Sequence, residues 1–187
     1  MNVSKFLAVA TAMSLSATAF AAGTHGGGHG HGAAIGEPGK AANADRTITV
    51  EMHDNYYQPE SIEVRPGETI RFVVENQGAL VHEFNIGTPE MHEAHQEEMK
   101  MMVEHGVIQG GKLNEDMMSM DMGNGHTMKH DDPNSILLEP GQSGEVVWTF
   151  AEKANIEFAC NIPGHYQSGM YGEVNFQGPV YSQADRS

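Results

Sequence analysis

Between Thr69 and Asn76 apolar and polar side chains alternate, with Ile70, Phe72 and Val74 separated by mostly polar residues. That two-residue period puts the apolar set on one face of an extended chain, so the segment predicts a half-buried strand. Arg46 to His53 has the same extended character, with Thr47, Ile48, Thr49 and Val50 in sequence. Ser61 to Val64 predicts a second short strand before the Arg65-Pro66-Gly67-Glu68 turn. Gln77-Gly78 breaks the third strand, and Val81 to Ile86 predicts a fourth. The pattern resumes at Ser135 to Leu138 and turns at Pro140-Gly141. It continues through Gly144 to Phe150, around Val146, Val147 and Trp148, then Ile156 to Cys160 and Tyr171 to Phe176. About eight short strands separated by turn signals predict an all-β fold, an antiparallel sandwich or barrel. Strands do not alternate with helices, which argues against a parallel α/β sheet.

One stretch breaks the strand pattern. Thr88-Pro89-Glu90 offers an N-cap residue followed by proline at the first helical position. A helix is predicted from there to about His105, stopped by Gly106. Gly110 to Asp132 has little periodicity, so residues 89–132 form one long insertion between strands. The ends of the chain are of another kind. Lys5 precedes a mostly apolar run from Phe6 to Phe20, closed by the small residues Ala19 and Ala21 around Phe20. This predicts a secretory signal peptide over residues 1–21, cleaved after Ala21. The run is shorter than the ~20 residues of a bilayer span, so no membrane insertion is expected. Residues 22–45 predict a flexible linker rich in Gly, with His25, His29 and His31. The folded domain is expected over residues 46–178, and residues 179–187 form a tail.

The formal net charge is −15. Such a chain repels nucleic acid and anionic lipid and favours cations and basic partners. Eleven His and thirteen Met are many metal-binding side chains for 187 residues. There is one cysteine, Cys160. Exported proteins use cysteines in pairs as disulfides, so a lone one is a leftover, an intermolecular link or a functional thiolate.

Cys160, His165 and Met170 stand in the pattern C-x4-H-x4-M, with Pro163-Gly164 before the His and Gly169 before the Met. A loop of this length can fold three side chains toward one point. Taken singly, Cys160 suits a buried small hydrophobe, Met170 a core position and His82 a hydrogen-bonded structural role. Taken together they suit copper, since a His2Cys site with a long, weak Met bond is stable in both oxidation states. Zinc prefers ligation without a thioether, so Met170 argues against it. His82, at the start of its strand after Asn76-Gln77-Gly78-Ala79-Leu80-Val81, is the candidate for the second imidazole.

This segment resembles the cupredoxin family, and within it the members with C-x4-H-x4-M, such as rusticyanin. The likeness is loose over 47–76 and 82–86 and close over 135–176. It implies a Greek-key β-sandwich with His82, Cys160, His165 and Met170 as ligands of one type 1 copper. Many cupredoxins carry Asn or Ser after the first His, where it braces the ligand loops. Here that position is Glu83.

The insertion holds nine of the thirteen Met residues. Met91, His95, Met99 and Met102 share one face of the predicted helix and are expected to pack on the sandwich. Met117, Met118, Met120 and Met122 are clustered without Leu, Ile or Val, and soft thioethers of this kind suit Cu(I). Met128, His126 and His130 follow as further candidate copper ligands, and His25, His29 and His31 as Cu(II) candidates. These additions resemble the periplasmic copper-tolerance cupredoxins. That resemblance implies a periplasmic protein that protects the envelope against excess copper, either by sequestering it or by oxidising Cu(I) at the type 1 site. One domain with one complete ligand set argues against a copper enzyme, beyond slow Cu(I) oxidation. The alternative is a soluble electron carrier whose partner is a cytochrome or an oxidase. The Met/His insertion discriminates the two, because a carrier needs none.

Overall fold

In β5 (Thr69–Asn76) Ile70, Phe72 and Val74 are buried while the intervening side chains are more open, so the period read in the sequence is the period of the pleat. The computed structural model of the chain describes residues 35–118, 130, 132–151 and 154–178. Within them β1 (Gly36–Pro38), β10 (Ser143–Phe150), β5, β2 (Arg46–His53) and β3 (Tyr56–Gln58) form one sheet in that order. The second sheet is β4 (Ser61–Val64), β12 (Tyr171–Phe176), β11 (Ile156–Ala159), β6 (His82–Gly87) and β9 (Ser135–Leu138). The architecture is the expected β-sandwich.

Two pairings depart from the antiparallel expectation. β2 runs parallel to β5, and β4 runs parallel to β12. After β3 the chain crosses to the second sheet as β4 and returns beside β2 as β5, so two strands of one sheet point the same way. Such pairing joins strands distant in sequence and leaves no local signature.

The sheets close on an aromatic centre. Phe72 and Phe84 have ring centroids 5.3 Å apart, and Tyr57 meets Phe158 edge to face at 5.1 Å. Burying each such side chain stabilises the fold by about 1.5–3 kcal/mol. The expected linker ends earlier than residue 45. Ile35 is fully buried, β1 pairs with β10, and Trp148 Nε1 donates to the Ile35 carbonyl at 3.1 Å. An indole N–H in the core needs an acceptor, and the backbone at Ile35 supplies it.

The insertion begins as predicted. α1 (Pro89–Glu104) is capped by Thr88, whose hydroxyl accepts from the Met91 N–H, and stops at Gly106 with φ of 75°. Every residue of β6 is buried, because α1 packs over the face of β6 that turns away from the aromatic core. Met99 and Met102 are buried there and Met91 partly so, as the stripe predicts. Gly110 and Gly111, both with positive φ, then turn a small hairpin of β7 (Ile108–Gln109) and β8 (Lys112–Leu113). A short helix α2 (Glu115–Met118) follows.

Candidate metal centre

β6 begins at His82 and β11 ends just before Cys160, and the two strands are antiparallel neighbours. Both residues therefore lie at the same end of one sheet. The pleat turns His82 and Cys160 to one face and Glu83 and Asn161 to the other. The loop after β11 carries His165 to the same place. Cys160 Sγ is 4.0 Å from His82 Nδ1 and 3.3 Å from His165 Nδ1. A trigonal ion with metal–sulfur and metal–nitrogen bonds of zinc-like length needs about 3.7 Å between those atoms. The two observed spacings bracket that value.

The loop is closed by its own backbone. Cys160 N–H donates to the Met170 carbonyl at 3.1 Å, and Met170 N–H donates to the His165 carbonyl at 3.0 Å. A 3-10 turn over Tyr166–Ser168 ends at Gly169, whose φ of 95° only glycine adopts readily. Met170 is fully buried.

The protonation pattern favours a cation. Burial first, and the nearby Glu83 charge second, push the Cys160 thiol up to about 12. Two backbone N–H groups oppose this, those of Glu83, 3.4 Å from the sulfur, and of Ile162. A buried sulfur supplied with donors and flanked by two ring nitrogens is arranged for a thiolate bonded to a metal. His82 and His165 are both held below the usual histidine range, chiefly by burial, so their imidazoles are neutral and available as ligands. Asp54 fixes the tautomer of the first. His82 Nε2–H donates to Asp54 Oδ1 at 2.9 Å, which leaves the Nδ1 lone pair facing the sulfur. Asp54 is itself held by the Ala79 N–H at 3.0 Å. Donor set, spacing and burial fit copper.

On the opposite face Glu83 replaces the expected brace and performs its task. Its Oε2 accepts from the Asn161 N–H at 3.0 Å and from Asn161 Nδ2 at 2.9 Å, tying β6 to the residue after Cys160. Its Oε1 lies 2.9 Å from His95 Nε2, 2.8 Å from His130 Nε2 and 2.7 Å from the donating Ser135 hydroxyl. Burial alone would raise the Glu83 carboxyl, but the charges and hydrogen bonds of His95 and His130 hold it well below the usual range. Conversely His95 is raised to about 10, since Glu83 and then Glu98 outweigh the cost of burial.

The candidate residues thus separate. His82, Cys160 and His165 converge, and Met170 is buried in the same loop. His130 joins Glu83 and His95. Met117 and Met118 are half-buried and pack against the core. Met120, Met122, His126, Met128, His25, His29 and His31 lie outside the described residues. Sequence reasoning missed Asp54, and it placed His95 among packing residues because its spacing matched the Met stripe. Alternation in β6 was the available signal for Glu83, since it sets that residue opposite His82.

A two-sheet β-sandwich with a His–Cys–His trio at one end, its Cys and first His buried, is the plan of a blue-copper protein, and the chain belongs to the cupredoxin-like family. The model of the cupredoxin-like domain matches residues 6–112, which include His82. More narrowly, the chain is similar to the copper-resistant cuproprotein CopI of Pseudomonas aeruginosa. The two are 50% identical over 152 residues, covering 78% of this chain and 84% of that protein. It is also similar to the protein of the same name from Rubrivivax gelatinosus, 40% identical over 140 residues, covering 74% and 71%. Among solved structures, reduced auracyanin from Roseiflexus castenholzii covers 73% of this chain and all of its own at a TM-score of 0.51 and 22% identity. Auracyanin B covers 77% of this chain and 97% of its own at a TM-score of 0.54 and 18% identity. These two share the fold. Family membership implies that the chain binds copper.

Proposed function

We propose that this chain is an exported, periplasmic copper protein that protects the cell envelope against excess copper, holding one type 1 copper through His82, Cys160, His165 and Met170. The observation that carries the reading is the buried Cys160 sulfur set between the ring nitrogens of His82 and His165. The names of the relatives support the copper-resistance role, and the signal sequence read over residues 1–21 supports export. Among the described residues no helix is long and apolar enough to cross a membrane.

The protein's own residues prepare the centre. Asp54 orients His82, the Glu83 and Ile162 N–H groups stabilise the thiolate, and the hydrogen-bonded loop fixes His165 and Met170. Copper held there supplies one-electron redox chemistry. Binding is the primary act. Slow oxidation of substrate Cu(I) to Cu(II) releases one electron, which passes to a protein acceptor such as a cytochrome or an oxidase. His165 is only partly buried, so its ring edge is the exit. That same edge favours a second reading, a soluble electron carrier.

The test is growth of a copper-sensitive strain carrying the wild-type chain or Cys160→Ser, beside the visible spectrum of each purified protein. Wild type is expected to restore growth and to show intense thiolate-to-copper absorption, and Cys160→Ser to lose both. Equal protection by Cys160→Ser would refute a role for the centre. Failure of wild type to protect, with copper bound and electrons exchanged normally, would leave the carrier.

A further inference from the structure

The Glu83, His95 and His130 cluster is a closed set of metal-ligating atoms on the side of β6 away from Cys160. We infer that it is a second metal site, which takes a divalent first-row ion, Cu(II), through Glu83 Oε1, His95 Nε2 and His130 Nε2.

Four observations carry this. The three atoms converge: the two imidazole nitrogens are 3.1 Å apart, and each lies within 2.9 Å of the carboxylate oxygen. Ligands 2.0–2.1 Å from an ion and at right angles to one another, as in a tetragonal Cu(II) site, stand about 2.9 Å apart, so the set already has the required spacing. The cluster is also dry. Side-chain exposure is 0% for Glu83, 3% for His130 and 11% for His95. Charged and ring-nitrogen groups are rarely buried together without a cation, or protons in its place, to neutralise them.

The outer contacts orient the ligands in the manner of metal sites. His95 Nδ1 lies 2.9 Å from Glu98 Oε2, so a proton on Nδ1 leaves the Nε2 lone pair for the ion. Glu83 Oε2 is occupied by Asn161, which leaves Oε1 as the ligand. Ser135 Oγ, 2.7 Å from Glu83 Oε1 and 3.5 Å from His130 Nε2, is placed to add a fourth ligand, a second oxygen. Finally, the set has two imidazoles, a carboxylate and no sulfur. That excludes Cu(I) as the preferred ion and suits Cu(II), which also stands highest in the divalent affinity order.

The site is wired to the type 1 centre through Glu83. This residue follows His82, donates its N–H to Cys160 Sγ, and accepts the N–H of Asn161. A cation on its carboxylate adds positive charge beside the thiolate, and this favours the reduced state of the type 1 centre. Its reduction potential should therefore rise when the second site fills.

Crystals of the full mature chain loaded with Cu(II) decide the matter at the copper absorption edge. Two anomalous peaks are expected, one by Cys160 and one among Glu83, His95 and His130. A peak by Cys160 alone overturns the inference. In solution His95→Gln should lower Cu(II) affinity at the second site at least tenfold, judged by a second paramagnetic signal without thiolate absorption. The Cys160 band should persist. Equal uptake in a His25→Ala, His29→Ala, His31→Ala chain with and without His95→Gln also overturns it. Zn(II) occupying the site against equimolar Cu(II) overturns the choice of metal. The type 1 band is read independently in every arm, so failure here is distinct from failure of the proposed function.

Discussion

Replacing Asp54 with alanine removes the acceptor that holds the His82 ring. In the native chain Asp54 Oδ1 receives the Nε2–H at 2.9 Å, and the same carboxylate takes the Ala79 N–H. Without it the imidazole is free to rotate or to place its proton on Nδ1, the atom that must face the copper. Outer partners of metal-bound histidines are commonly worth about 10–100-fold in metal affinity. Asp54 has 43% side-chain exposure, so water can replace part of the lost acceptor. The expected loss is therefore at the lower end, about tenfold or about 1.4 kcal/mol. Asp54→Asn keeps an acceptor oxygen and should lose less. The assay is Cu(I) competition against a chromophoric chelator of known affinity, with the thiolate absorption followed in parallel. If Asp54→Ala binds within twofold of wild type, the carboxylate does not position His82, and the reasoning from tautomer to affinity fails.

Two further outcomes bear on the scaffold. A Cβ at Gly172 would lie 2.2 Å from Phe158 Cζ and 2.5 Å from the Glu60 carbonyl oxygen. Gly172→Ala should thus destabilise the fold by about 1–3 kcal/mol in urea unfolding, and an unchanged midpoint would mean that Phe158 is free to move. Glu68 is buried at 3% side-chain exposure beside Arg46, whose Nε is 2.8 Å away. Burial raises its carboxyl, but the Arg46 and Arg65 contacts outweigh that and hold it below the usual 4.5. A carboxyl depressed by folding stabilises above its unfolded value and loses that contribution as pH falls through the folded one. Acid unfolding of the metal-free chain should therefore be less steep in Glu68→Gln than in wild type below about pH 4.5, and identical acid limbs would refute the pairing.

Much of this protein is legible along the chain because its signals are local. Strand periodicity in Thr69–Asn76 follows from the pleat, and the helix start at Thr88-Pro89 follows from orphan N–H groups and a fixed φ. C-x4-H-x4-M works the same way, since its three side chains share one short loop. Partners far apart in sequence are another matter. Asp54 reaches His82 across 28 positions, and His130 reaches Glu83 across 47. Nothing near Asp54 marks it as an acceptor for an imidazole. His95 sits on a helix whose Met spacing points to packing, and packing is what its neighbours Met99 and Met102 do. Only the docking of α1 on the outer face of β6 turns His95 toward a buried carboxylate. In this chain residue order determined the strands and the Cys–His–Met loop. The stacking of elements decided which charges were buried together, because burial and electrostatic pairing depend on distances in space.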